Sequence, residues 1–91
     1  FVSAVTGDYL EGPWEFHVQI EFEDNQLYYV TLDTAERWEL IPINESEFAD
    51  VVGSIYRFPE NPTEEIDQFD LWLSPIFPPG GQWYKGIRIS E

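Results

Sequence analysis

Carboxylates are the reactive groups this chain offers in quantity. Of its first 36 residues eight are Asp or Glu and none is Lys or Arg, and the whole sequence sets 18 acidic side chains against 4 basic ones, a net charge of −14. Hard cations such as Ca²⁺ take roughly six to eight oxygen ligands from carboxylates, amides, backbone carbonyls and water, so these are the residue types from which a calcium centre is built. An EF-hand loop is absent, because the nearest approaches, Glu23-Asp24-Asn25 and the segment from Asp67 to Asp70, lack the turn glycine and the closing glutamate of that motif. A site must therefore be assembled from separate segments. Three groups are candidates: Glu23 and Asp24 with Glu45 and Glu47; Asp33 and Glu36, close to Glu11 and Glu15; and Glu64, Glu65, Asp67 and Asp70 with Glu60. The ordinary fate of acidic runs is solvated surface. Yet unneutralised carboxylates a few ångströms apart cost about a kcal/mol each even in water, so groups this dense favour a counter-charge.

Other chemistries are poorly provided for. The single histidine, His17, falls on the polar side of an alternating segment beside Glu15 and Glu21 and reads as a solvated strand residue. Gly53-Ser54 lacks the second glycine of a nucleophile elbow, and Gly80-Gly81 follows two prolines with no lysine-tipped helix to cradle a phosphate. Paired carboxylates alone do not make a glycosidase without a cleft to hold a sugar. The expectation is a protein that is not an enzyme. Direct nucleic-acid binding is disfavoured too, because phosphate neutralisation needs a basic patch, and Lys85 with Arg88 is all that one strand supplies.

The elements that must carry the acids are legible in part. From Trp14 to Glu23 the apolar residues Trp14, Phe16, Val18, Ile20 and Phe22 alternate with Glu15, His17, Gln19, Glu21 and Glu23, the period-two signature of a strand with one dry face. Glu23-Asp24-Asn25-Gln26 is turn chemistry, and Leu27–Leu32 is a second strand. After the turn Asp33-Thr34-Ala35-Glu36, the stretch Arg37–Ile43 makes a third, which gives an antiparallel meander. Asn44 then suits a helix cap, with Glu45 and Glu47 in the first turn and Phe48, Val51, Val52 and Ile55 at helical spacing up to a break near Gly53. An acidic loop or single helical turn from Asn61 to Asp67 leads to a strand over Phe69–Leu73. A Pro/Gly-rich loop, Ser74–Gln82, precedes a last strand, Trp83–Ile89. In such a meander the first turn and the start of the helix lie at one edge of the sheet, and Asp33 and Glu36 lie at the other with Glu11 and Glu15.

Composition argues for a folded domain and not an acidic tail. Sixteen aromatic residues (4 Trp, 5 Tyr, 7 Phe) and 43% hydrophobic content give far more apolar surface to bury than a disordered segment has. The expected fold class is α+β: a single small domain, residues 1–91, with a mainly antiparallel sheet of about five strands and one or two short helices. Trp14, Phe16, Val18, Ile20, Phe22, Leu40, Phe48, Val52 and Leu73 are its expected core. A domain of this size has a stability of only about 5–10 kcal/mol, so self-repulsion matters. The lack of cysteine removes disulfides and thiolate chemistry and favours a reducing compartment. No apolar run approaches the ~20 residues of a membrane helix and no leader precedes the domain, which points to a soluble cytoplasmic protein. Because the chain opens at Phe1 and not at Met, it reads as a trimmed product and the missing leader carries little weight.

In size, acidity, freedom from cysteine and carboxylate-rich loops such as Asn44-Glu45-Ser46-Glu47-Phe48-Ala49-Asp50 and Glu64-Glu65-Ile66-Asp67-Gln68-Phe69-Asp70, the chain resembles the CcbP-like family of small acidic calcium-binding proteins from filamentous cyanobacteria. The resemblance implies a cytoplasmic, non-EF-hand calcium buffer with Ca²⁺ as its bound ion. The competing expectation is a polyanion mimic that presents carboxylates where a basic protein expects phosphates, as an antitoxin, anti-restriction or anti-CRISPR protein does. The expected partners are thus divalent cations or a basic protein, with no nucleic acid and no membrane, and the protein is expected to be a monomer.

Overall fold

The computed structural model describes residues 1–89. It is an all-β closed barrel of eight antiparallel strands in sequential order, entered through one turn of helix. Helix α1 spans Val2–Val5. The strands are β1 (Gly7–Glu11), β2 (Phe16–Glu23), β3 (Gln26–Thr31), β4 (Glu36–Pro42), β5 (Glu47–Ala49), β6 (Ile55–Arg57), β7 (Gln68–Trp72) and β8 (Trp83–Arg88). Every strand pairs with its sequence neighbour, and β1 closes on β8 through Tyr9 opposite Arg88 and Glu11 opposite Gly86. No helix among the described residues is long and apolar enough to cross a membrane.

This corrects the α+β expectation. The five expected strands correspond to β2, β3, β4, β7 and β8, but β1, β5 and β6 join them and turn an open meander into a barrel. The helix expected after Asn44 is instead the hairpin β5–β6. Asn44 does bond the following backbone, its Oδ1 accepting from the N–H groups of Ser46 and Glu47 at 3.0 Å, yet the turn it builds reverses β4 into β5. Asp50 organises the next reversal in the same way through the N–H groups of Val52 and Ser54, and Gly53 sits there at φ +91°. The β-branched Val51, Val52 and Ile55 have little preference for a helix. The stronger pattern is alternation: Phe48 and Asp50, then Ser54, Tyr56 and Phe58, are all buried.

Alternation puts Tyr9, Val18, Ile20, Tyr29, Leu40 and Tyr56 inside, with Phe58, Phe69 and Leu71 completing the wall opposite β2 and β3. Of the expected core, Val18, Ile20, Leu40 and Phe48 are buried and Phe16, Val52 and Leu73 are half-buried, while Trp14 and Phe22, at the two ends of β2, are exposed. Gly86 faces inward opposite Phe69, and a Cβ there would overlap the Phe69 ring, so glycine at this position lets that ring pack edge-on against Tyr9, with centroids 4.9 Å apart.

The two ends of the barrel differ. At one end lie the β2–β3, β4–β5 and β6–β7 connections together with Phe1 and Ile89, the first and last described residues, and α1 plugs it by burying Ala4 and Val5. Arg88 fastens the plug. Its guanidinium donates to the carbonyls of Ala4 (2.9 Å), Thr6 (3.1 Å) and Ile66 and to the Tyr9 hydroxyl (2.9 Å), and it meets Glu65 at 3.2 Å. Phe1, Phe48 and Phe58 pack against one another at the same end. The opposite end, made by the β1–β2, β3–β4, β5–β6 and β7–β8 connections, has no such plug.

Candidate functional site

An eight-stranded barrel has an interior just wide enough to be filled by side chains or to hold one small ligand. Here the closed half is filled and the open half is not. A cavity of about 250 Å³ enters the barrel between the four connections of the unplugged end. Its walls carry six aromatic side chains, Trp14, Phe16, Tyr29, Trp38, Tyr56 and Phe77, and three acids, Glu11, Glu36 and Asp50, with no Lys, Arg or His among the lining residues.

Glu11 is the inner acid. It ends β1 two residues after the inward-facing Tyr9, between Phe16 of β2 and Gly86 of β8, and is only 4% exposed. The Tyr29 hydroxyl of β3 donates to its Oε1. Burial pushes its carboxyl up from 4.5 to about 7, against the pull of the Tyr29 hydrogen bond. The Tyr29 phenol is raised as well, first by burial and then by the charge and hydrogen bond of Glu11.

A second tyrosine–acid pair faces the first. Tyr56 of β6 donates to Asp50 Oδ2 at 2.7 Å, while Oδ1 of Asp50 accepts the N–H groups of Val52 and Ser54, both at 3.1 Å. Burial, and then the charge of Asp50, hold the Tyr56 phenol well above its ordinary range. The Tyr29 and Tyr56 rings meet with centroids 5.0 Å apart and form the cavity floor. Near the mouth, Trp14 leans on Tyr84 at 4.9 Å, and Trp38 meets Phe77 edge-on at 6.5 Å. Gly12 at φ +70° permits this placement of Trp14, whose ring lies where a Cβ would project. Trp14, Leu32, Val51, Ile76 and Phe77, all on connections at this end, are exposed and form an apolar rim.

The acids singled out from the sequence lie mainly elsewhere. Glu23 ends β2 with Asp24 in the turn after it, and Glu45 lies in the β4–β5 reversal with Glu47 opening β5, at the same end of the barrel, where Glu64, Glu65 and Asp67 join them from the β6–β7 connection. Several are already matched by cations of the chain: Glu23 with Arg37 at 3.4 Å, Glu47 with Arg57 at 3.0 Å, Glu65 with Arg88 at 3.2 Å and Asp70 with Lys85 at 3.0 Å. The Glu47 carboxyl is held below its usual range by hydrogen bonds from Asn44 and then Arg57. Among the described residues no three or more His, Asp or Glu side chains gather as a group that could hold a metal ion. At the open end Asp33 stays in its exposed turn and Glu36 borders the cavity with Glu11, two acids that sequence reading had placed at the same edge. His17 sits on the outer face, 3.3 Å from Asp8.

The sequence reading missed Tyr29, Tyr56 and Asp50 and did not foresee the burial of Glu11. One signal was available: in Gly7-Asp8-Tyr9-Leu10-Glu11 a strand that buries Tyr9 must also bury Glu11. Comparison with protein-family models, with curated proteins and with solved structures finds no match to this chain.

Proposed function

We infer that the protein is a binding barrel that takes a small, largely apolar molecule into its open end and performs no chemistry on it. The observation that supports this best is the asymmetry of the interior: one half is packed and plugged, while the other keeps an aromatic cavity with a buried carboxyl against it. Binding cavities are typically concave and apolar, with a few fixed polar groups to orient the ligand. This one has that composition, and its size suits a ligand of about one ring with a short arm, given that an engineered apolar cavity of about 150 Å³ accepts benzene.

Titration of the protein with single-ring probes, followed by the fluorescence of Trp14 and Trp38 and by calorimetry, is expected to give saturable one-to-one binding. The variant Thr31→Phe, which places a ring in the cavity, should lose it while retaining the far-ultraviolet spectrum of the parent. Binding that survives this filling would move the site elsewhere.

Calcium buffering and docking to a basic protein, the proposals drawn from net charge, concern the outer carboxylates and not the cavity. A CaCl₂ arm of the same titration tests the first. Stabilisation beyond that of NaCl at equal ionic strength would favour a specific cation site, because binding to the native state adds about 2.7 kcal/mol at a hundredfold excess over Kd. Equal effects of the two salts would leave the outer acids to solvation or to a basic partner.

A further inference from the structure

We propose that the ligand of the open-end cavity is a small organic cation, an amine or quaternary ammonium carried on a body of about one ring, with Glu11 as its counter-ion. This rests on the binding reading above and names the ligand class. The chain has four basic side chains, and each is engaged away from the cavity: Arg37 with Glu21 and Glu23, Arg57 with Glu47, Lys85 with Asp70, and Arg88 in the plug. His17 lies on the outer face beside Asp8, and the amino terminus is at the plugged end. No cationic group among the described residues can therefore pair with Glu11, so the carboxyl is neutral while it holds its proton and, once ionised, has only a cation from outside to meet.

Aromatic faces carry the negative end of a quadrupole and attract cations, and guanidinium and ammonium groups alike settle over them. The chain already uses this contact on its outer surface, with Arg37 over Tyr28 at 3.7 Å and Arg57 over Trp83 at 4.3 Å. Six aromatic side chains line the cavity with three acids among them and no cation. Such a lining repels an anion and leaves a neutral molecule nothing to gain from the carboxyl charge. Tyr29 donates to Glu11 Oε1, the one side-chain hydrogen bond of that carboxyl among the described residues, which leaves Oε2 for an ammonium hydrogen.

A cation entering beside Glu11 displaces the proton that the buried carboxyl holds up to about pH 7, and the proton passes to solvent. Affinity must then rise with pH. The groups facing Glu11 across the cavity are Tyr29 of β3, Glu36 of β4, Asp50 after β5 and Tyr56 of β6, while its neighbours on β2 and β8, Phe16 and Gly86, do not titrate. Both phenols are held well above neutrality by burial, so in the neutral range Glu11 dominates the profile.

The test uses four probes of one shape, phenethylamine, benzyltrimethylammonium, 2-phenylethanol and phenylacetate, titrated at pH 6 and pH 8. The two cations are expected to bind at least tenfold more tightly than the alcohol at pH 8, and to strengthen about tenfold from pH 6 to pH 8, while the alcohol is unaffected. Glu11→Gln should weaken both cations tenfold or more, remove the pH dependence and leave the alcohol as it was. The pH profile of the unaltered protein decides the matter independently of the variant. The alcohol or phenylacetate binding as tightly as the amines, or amine affinity flat with pH, would overturn the cation assignment and leave the cavity reading standing. Failure of all four probes to bind would overturn the cavity reading itself.

Discussion

Glu11→Gln is expected to make the protein more stable above neutral pH, by up to about 3.5 kcal/mol, and to flatten its stability between pH 4.5 and 7. The carboxyl is raised from 4.5 to about 7 by burial, and each tenfold change in proton affinity is worth about 1.4 kcal/mol. The native state therefore binds this proton more tightly than the unfolded chain does, and stability must fall as pH rises through the window between the two values. Below 4.5 both states are protonated and the full stability is present; above 7 both are ionised and the whole difference has been lost. An amide keeps the acceptor for Tyr29 but has no proton to lose. For a domain of this size such a change corresponds to a melting temperature higher by up to about 14–28 °C at pH 8. Urea unfolding of both proteins at pH 5, 6, 7 and 8 measures it, and parallel curves for the two would show that Glu11 ionises in the barrel as easily as in water.

Arg88→Ala is expected to cost about 3–5 kcal/mol, a large part of the stability of a domain this small. The side chain is largely buried and serves three backbone carbonyls, the Tyr9 hydroxyl and Glu65 at once. Removing it leaves the Thr6 and Ile66 carbonyls without the donor it supplies and the Ala4 carbonyl with only the Ile66 N–H, and buried acceptors without donors are expensive. Arg88→Lys should recover little, because one ammonium on a flexible stem cannot span acceptors that a planar fork reaches together. Chemical denaturation gives the number. A loss below about 1 kcal/mol, the range of exposed ion pairs, would mean that the plug is held by the burial of Val5 and Ala4 alone.

Sequence reading recovered the long strands and missed the short ones, for a physical reason. From Phe16 to Glu23 alternation has eight residues in which to declare itself, whereas Glu47–Ala49 and Ile55–Arg57 have three each, and over such lengths Phe48, Val52 and Ile55 fit a helix equally well. β1 begins with Gly7-Asp8, which resembles a turn, and ends with an acid on the inside, which breaks the apolar pattern. Its main evidence is collective: Tyr9 pairs with Val18 on one side and with Arg88 on the other, and the second partner is invisible until the barrel closes. The same holds for the candidate site. Glu11 is one of 18 acids, and nothing in composition separates the two buried carboxyls, Glu11 and Asp50, from those that coat the outside. Charge drew attention to where acids are dense, whereas the structure directs it to where a buried acid lines an open cavity.

Because the strands number eight and run alternately up and down, the described residues begin and end at the plugged end, with Ile89 bonded to Asp8 and Phe1 beside Phe48. Anything coupled to either terminus, such as a sensor surface, a fluorescent reporter or another folded unit, is therefore carried on the far side of the molecule from the cavity mouth. Oriented immobilisation comes with the topology: a layer of this protein attached by its ends presents every mouth to the solution, and probe capture by that layer should match capture by the free protein.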